Sequence, residues 1–293
     1  MPREKVAVIT GASSGIGASL AGLLAGEGVF VIIAARRRER LEQIALSIGR
    51  AGGRCLAVTC DVAVRRDAED LIRRAIDEFG QLDILVNNAG RGHFASIEET
   101  TDATNQSIFA VNVFSLWYTS RPAIQQMKKQ GSGHVINVAS LAGKLGFPFN
   151  SAYVAAKHAC VGFTHALRME LTGTGIHASV VCPAGVLTDW ASNTEGGSML
   201  PLFSEAGPIA ARIAEEQGVD LPAIEGPLAA DAVARAIIEC IHHPAAEVYT
   251  HRGSKEFVAL AAMNREEAER KQMLMALAEQ QVYEKLKQGQ HRA

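Results

Sequence analysis

The 293-residue chain carries 29 Lys and Arg against 31 Asp and Glu, a formal net charge of −2, so no global field draws it to nucleic acid or an anionic membrane. Its 48% hydrophobic content allows a large core, yet no apolar run reaches the roughly 18–20 residues of a membrane helix. Five cysteines (Cys55, Cys60, Cys160, Cys182 and Cys240) are odd in number and form no C-x-x-C pair, the pattern of reduced thiols in a cytoplasmic protein.

A strand is predicted at Val6–Thr10, leaving no space for a signal peptide. Thr10-Gly11-Ala12-Ser13-Ser14-Gly15-Ile16-Gly17 follows it and opens a helix over Ile16–Gly26. Glycines in a strand–turn–helix let the backbone approach a pyrophosphate, whose charge then faces the helix N-terminus. A second strand, Val29–Ala34, runs into Arg36-Arg37-Arg38 at the start of a helix over Arg38–Gly49. An acidic residue here selects the ribose 2′-hydroxyl of NAD; arginine accommodates the 2′-phosphate of NADP. Arg36, supported by Arg37, therefore points to NADP(H) over NAD(H), although the same run also suits the solvated start of a helix.

The third strand, Arg54–Cys60, ends at Asp61-Val62, where Asp61 either accepts from an adenine amine or caps the next helix, Arg65–Phe79. Strand Leu82–Asn87 follows, with Asp83 holding the turn before it, then a helix predicted over Thr101–Gln130 on which Phe114 and Trp117 are packing residues. Strand His134–Ser140, helix Ala152–Thr172, strand His177–Cys182, helix Ala230–His242 and strand Glu247–Thr250 complete the alternation. Strands apolar nearly throughout, separated by helices, imply a parallel sheet covered on both faces. Trp190–Pro227 breaks the rhythm, rich in Gly, Pro and Ser with Trp190, Met199, Leu200, Leu202, Phe203 and Ile209 scattered through it. Lys255–Gln290 reads as one long polar helix that either packs on another protomer or lies solvated. His93, His134, His158 and His165 lack partners at metal spacing and read as structural or exposed, so no metal site is expected.

With Asn87-Asn88-Ala89-Gly90, Asn112, Ser140 and Tyr153-Val154-Ala155-Ala156-Lys157 added to the glycine turn, the chain resembles the short-chain dehydrogenases/reductases, strongly over about 4–190 and loosely over 229–250. The resemblance implies a single Rossmann-like, doubly wound α/β domain of about seven parallel strands. It would span 1–252, with a substrate lid at about 190–228 and a helical extension at 253–293. It implies a catalytic tetrad of Asn112, Ser140, Tyr153 and Lys157. Cofactor contacts would come from Gly11, Ser13, Ser14, Gly15, Ile16, Gly17, Arg36, Arg37, Asp61, Val62, Asn88, Ala89, Gly90, Tyr153, Lys157, Pro183, Gly185, Val186 and Thr188. One departure stands out: Pro183-Ala184-Gly185 displaces by one residue the glycine that follows proline in the family.

The tetrad suits hydride transfer between NADP(H) and a carbonyl or alcohol carbon. Lys157, one turn after Tyr153, is expected to lower the phenol's pKa, and by the resemblance it also holds the nicotinamide ribose. Ser140 would hydrogen-bond the substrate oxygen, and Asn112 would hold a water leading from Lys157 to solvent. An intact tetrad disfavours a nucleotide-sensing regulator, and the glycine spacing disfavours an epimerase or dehydratase. The apolar side chains of the insertion suggest a small greasy substrate. The family's helix pairing suggests a homodimer or homotetramer.

Overall fold

A computed structural model describes residues 4–290; residues 291–293, the end of the expected extension, lie outside it. Seven strands form one parallel sheet: β1 (Val6–Thr10), β2 (Phe30–Ala35), β3 (Cys55–Thr59), β4 (Ile84–Asn87), β5 (Gly133–Val138), β6 (Ile176–Cys182) and the last, Glu247–Tyr249, in the order β3-β2-β1-β4-β5-β6 followed by that last strand. Alternate residues of β1 enter opposite cores. Ala7 and Ile9 pack with helices α1 (Gly15–Gly26), α2 (Arg38–Arg50) and Ala230–His242, while Val6 and Val8 pack with α3 (Arg65–Phe79) and the helix Ser115–Gln130. Burial on both faces is what their unbroken apolar sequences require. Asp83, just before β4, ties the turn to β1: its Oδ2 accepts from the Val6 amide at 2.8 Å and from Gln81 Nε2 at 3.1 Å. The order reverses between β1 and β4, and a crevice at the carboxyl ends of the strands belongs at that switch point.

The helix expected over Thr101–Gln130 is three pieces: α4 (Asp102–Phe109), a wide π-turn over Ala110–Phe114, and α5 (Ser115–Gln130). The π-turn frees the Ile108 carbonyl, which accepts from Asn112 Nδ2 at 2.9 Å. Phe114 and Trp117, expected to be packing residues, are 48% and 42% exposed. Helix α6 (Ser151–Glu170) leads into β6, followed by a small parallel pair, β7 (Val186–Leu187) with β8 (Leu228–Ala229), which sequence patterning did not suggest. The last strand of the main sheet is β9.

The break at Trp190–Pro227 is more ordered than its composition implies. It holds α7 (Gly207–Gln217), with Pro208 in its first turn where no amide partner is lost. After α8 (Ala230–His242), the expected tail helix splits into α9 (Ser254–Met263) and α10 (Arg265–Gln290). Asn264 breaks it: its Oδ1 accepts from the Glu267 amide at 3.2 Å and its Nδ2 donates to the Glu267 carboxylate at 3.1 Å. That reciprocal cap is the Asn-x-x-Glu counterpart of a capping box. Ala206, Ala210 and Ile213 pack on Leu274, Ala278 and Val282 of α10, forming a third core outside the sheet.

Candidate active site

The glycine turn is built against the end of β4. Thr10 Oγ1 accepts from the amides of Asn88 and Ala89, both at 3.1 Å, while Asn88 Nδ2 donates to the Thr10 and Gly11 carbonyls at 2.9 and 3.3 Å. Gly11 has φ +66°, and a Cβ there would stand 2.6 Å from the Ala89 Cα; one on Gly17 would stand 2.6 Å from Asn88 Nδ2. Only glycine allows this closeness. The Ser14 side chain makes no cap to α1, so it does not occupy the helix's first amides.

The arginines divide. Arg37 turns back onto the glycine turn, its Nη2 donating to Ser13 Oγ at 2.9 Å and Ser14 Oγ at 2.7 Å. Burial and neighbouring Arg40 hold its pKa below the ordinary arginine value. Arg36 lines the crevice, is exposed, and has no hydrogen-bond or ion-pair partner among the described residues. Asp61 and Val62 line the same crevice; Asp61 Oδ1 accepts from the Ala63 amide at 3.0 Å, a turn ahead of α3 and not a cap on it, since the helix's N-cap residue is Val64.

Ser140, just past β5, and Tyr153 and Lys157, on α6, meet deeper in the same cavity of about 850 Å³. Ser140 Oγ accepts from the Ala142 amide at 3.1 Å and donates to the Pro183 carbonyl at 3.3 Å. Lys157 Nζ donates to the Val138 carbonyl at 2.9 Å and lies 5.6 Å from the centre of the Tyr153 ring. Burial pushes the Tyr153 phenol well above its ordinary value, opposite in direction to the lowering by Lys157 expected from the sequence; the Trp190 ring lies 5.1 Å away between ring centres. A hydrogen bond with Ser140 opposes this and is weaker. Burial likewise holds Lys157 below the usual lysine value.

Asn112 is buried behind these groups. Its Oδ1 accepts from the Arg91 amide at 3.2 Å and its Nδ2 donates to the Arg91 carbonyl at 2.9 Å, bracing the strand-end segment Asn88–Arg91. A Cβ on Gly90 would fall 3.1 Å from Asn112 Oδ1 and 3.5 Å from Lys157 Nζ, so Gly90 keeps the space between them open.

The displaced glycine is accommodated by His251, which sequence reading missed. Buried past β9, its Nδ1 accepts from the Ala184 amide at 3.2 Å and its Nε2 donates to the Gly185 carbonyl at 2.8 Å. These partners fix the neutral tautomer with hydrogen on Nε2. Thr188 still borders the glycine turn: a Cβ on Gly15 would meet its Cγ2 at 2.9 Å. Pro183, Gly185, Val186 and Thr188 all line the cavity, as do Gly11, Ser13, Ser14, Gly15, Ile16, Asn88, Ala89 and Gly90; Gly17 and Asn112 do not.

The far end is apolar. Of the side chains singled out in the insertion, Trp190, Met199, Leu202 and Phe203 line it; Ile209 packs into the third core and Leu200 is half exposed. Phe257, Gln272, Met275 and Glu279 of α9 and α10 complete the wall, and sequence reading assigned none of them to it. Phe149, just before α6, has φ +58°, strained for a side chain of its size. It stacks flat on Tyr283 of α10, ring centres 3.9 Å apart and planes 5° from parallel.

Residues 5–197 match the family model of short chain dehydrogenases. The chain belongs to the short-chain dehydrogenase/reductase family. A ketoacyl reductase, HetN, of Nostoc sp. is 38% identical over 62% of this chain and 63% of its own length, so the match spans less than two thirds of that relative. A short-chain dehydrogenase/reductase from Burkholderia phymatum, solved with NAD, superposes with a TM-score of 0.76 at 29% identity, covering 90% of this chain and 94% of that one. A point variant of actinorhodin polyketide ketoreductase, solved with NADPH, gives 0.71 at 30% identity, covering 84% and 95%. In this short-chain dehydrogenase/reductase the family match stops at 197, before α7 to α10, which with the segment ahead of α7 carry much of the apolar wall. No helix among the described residues is long and apolar enough to cross a membrane.

Proposed function

We propose that this chain is an NADP(H)-dependent oxidoreductase that transfers a hydride between the nicotinamide and a carbonyl or alcohol carbon of a small, largely apolar substrate. The observation that carries the reading is the convergence of Tyr153, Ser140 and Lys157 with the glycine turn on one cavity. The nucleotide, when bound, supplies or accepts the hydride at its nicotinamide ring. In reduction Tyr153 Oη gives its proton to the carbonyl oxygen; in oxidation it takes that proton back. Ser140 donates to the developing oxyanion, Lys157 holds the nicotinamide ribose hydroxyls, and Asn112, through the Arg91 backbone, positions the floor beneath them. Its side-chain hydrogen bonds go to Arg91 and Ile108, and a water held by Asn112 would take its place on the Lys157 side.

The unpartnered Arg36 supports NADP over NAD; the two solved relatives carry one cofactor each, so the preference rests on this residue. Gly11, Ser13, Ser14, Gly15, Ile16 and Gly17 would take the pyrophosphate, Asp61 and Val62 the adenine, and Asn88, Ala89, Gly90, Pro183, Gly185, Val186 and Thr188 the nicotinamide half. In this reading 1–252 is the catalytic body, about 190–228 its lid and 253–293 an extension closing the substrate end. The protein works in the cytoplasm as a homodimer or homotetramer, a state favoured by the exposure of Phe114 and Trp117. Consumption of NADPH and NADH over a panel of ketones and aldehydes tests the proposal. Turnover faster with NADPH is expected; no turnover with either nucleotide would refute the reaction, and equal use of NADH would refute the role of Arg36.

A further inference from the structure

Helix α10 sends Gln272, Met275 and Glu279 into the cavity from one face, at spacings of three and four residues. The same helix buries Leu274, Ala278 and Val282, so Glu279 is a carboxylate at the edge of an apolar stripe. The same end of the cavity is lined by the nonpolar groups Met199, Leu202, Ala206 and Met275. The other carboxylates bordering this cavity have partners. Glu225 accepts from the Arg252 amide at 3.1 Å, Asp189 pairs with Arg40 at 2.7 Å, and Asp61 accepts from the Ala63 amide. Glu205, on the π-turn before α7, pairs outside with Lys285 at 2.6 Å. Glu279 is half-buried and has no hydrogen bond and no ion pair among the described residues. Burial alone pushes its carboxyl up to about 7, and no neighbouring charge contributes. An unmatched acid in an apolar wall costs stability, which a ligand offering a donor would recover.

We infer that Glu279 is the polar anchor of the substrate site, and that the preferred substrate is an apolar carbonyl compound carrying a hydrogen-bond donor, a hydroxyl or an ammonium group, at the end away from the reacting carbon. The inference rests on the oxidoreductase reading above and adds the substrate class to it. Nothing in the reaction chemistry needs an acid here: the proton comes from Tyr153, and Glu279 stands in the wall supplied by the tail. Its effect is therefore on which ketone is held, not on how the ketone is reduced.

The test uses the full chain with NADPH and three matched straight-chain methyl ketones: unsubstituted, terminal hydroxyl and terminal ammonium, each in several chain lengths. The readout is the ratio of kcat/KM for a donor-bearing ketone to that of its unsubstituted partner. At the best chain length this ratio is expected to be about ten or more in the parent protein, the scale of one hydrogen bond to a charged group. In Glu279→Leu it should fall to about one for both donors. In Glu279→Gln it should fall for ammonium and persist for hydroxyl if the substrate is an alcohol, or fall for both if charge is required. A purely structural role would slow all three ketones alike and leave the ratio unchanged, which overturns the inference. Reduction of the unsubstituted ketone with no preference for donors in the parent protein also overturns it while leaving the oxidoreductase reading intact. Failure of every ketone with either nucleotide removes both.

Discussion

Lys157 lies beneath the Tyr153 ring, its ammonium 5.6 Å from the ring centre, and gives its hydrogen bond to the Val138 carbonyl instead of the phenol oxygen. The pair is thus arranged as a buried cation under an aromatic face. Tyr153→Phe keeps the ring and this packing while deleting the proton. Its kcat for ketone reduction is expected to drop by at least about 10²–10⁴-fold. Nucleotide affinity, followed by fluorescence titration, should change little; retained turnover would remove Tyr153 from the chemistry.

Arg36 and Arg37 should separate in their effects. Arg36→Ala is expected to lower kcat/KM for NADPH by about 10–100-fold, one lost charge-assisted contact, and leave NADH nearly unchanged. Arg37→Ala frees the Ser13 and Ser14 hydroxyls it now holds and should weaken both nucleotides together. Steady-state kinetics of the two variants with both nucleotides checks this, and the reverse pattern would exchange their assignments.

His251→Phe retains bulk but strands the Ala184 amide and the Gly185 carbonyl. Loss of partners for buried groups costs about 1–3 kcal/mol each at most. A lower melting temperature is expected together with weaker binding of NADPH and NADH alike, measured by calorimetry. Unchanged nucleotide affinity would mean that the Pro183–Thr188 segment holds its path unaided.

Glu279 sets a pH dependence of stability whose sign follows from burial. Its folded-state value, about 7, lies above that of an ordinary carboxyl, so the folded protein prefers the protonated acid. That preference is fully expressed below about pH 4 and is lost as pH rises through 7. Glu279→Gln, which cannot ionise, should therefore gain on the parent protein between about pH 5 and 8, by about 1–2 kcal/mol once water in the cavity is allowed for. Thermal melts at the two pH values measure the difference; a constant gap would place Glu279 in water.

The sheet and the first half of the site were readable because backbone demands write themselves into composition. Strands buried on both faces must be apolar, and the approach of Gly11 and Gly17 to Asn88–Ala89 leaves no residue but glycine. What escaped was set by contacts between distant segments. The π-turn at Ala110–Phe114 has no periodicity of its own, and within it Asn112 donates to the Ile108 and Arg91 carbonyls. His251 becomes a clamp only when β9 is laid beside β6. Asn264 did carry a local signal, the Asn-x-x-Glu cap, inside a run otherwise strongly helical. Glu279 carried one too, an acid amid Leu274, Met275, Ala278 and Val282. The phenol's upward shift was not readable, since a Tyr–Lys spacing says nothing of whether the ammonium meets the ring or the oxygen.

The flat stack of Phe149 on Tyr283 ties the last helix to the turn that launches α6. Phe149 keeps a backbone angle that an isolated loop would abandon, and the ring holding it in place comes from more than 130 residues downstream. A chain ending before α10 would lose that pin, allowing the first turn of the helix bearing Tyr153 to relax. Truncation at the carboxyl end would then blunt the reaction from a distance, even for substrates too small to reach the wall that the tail provides.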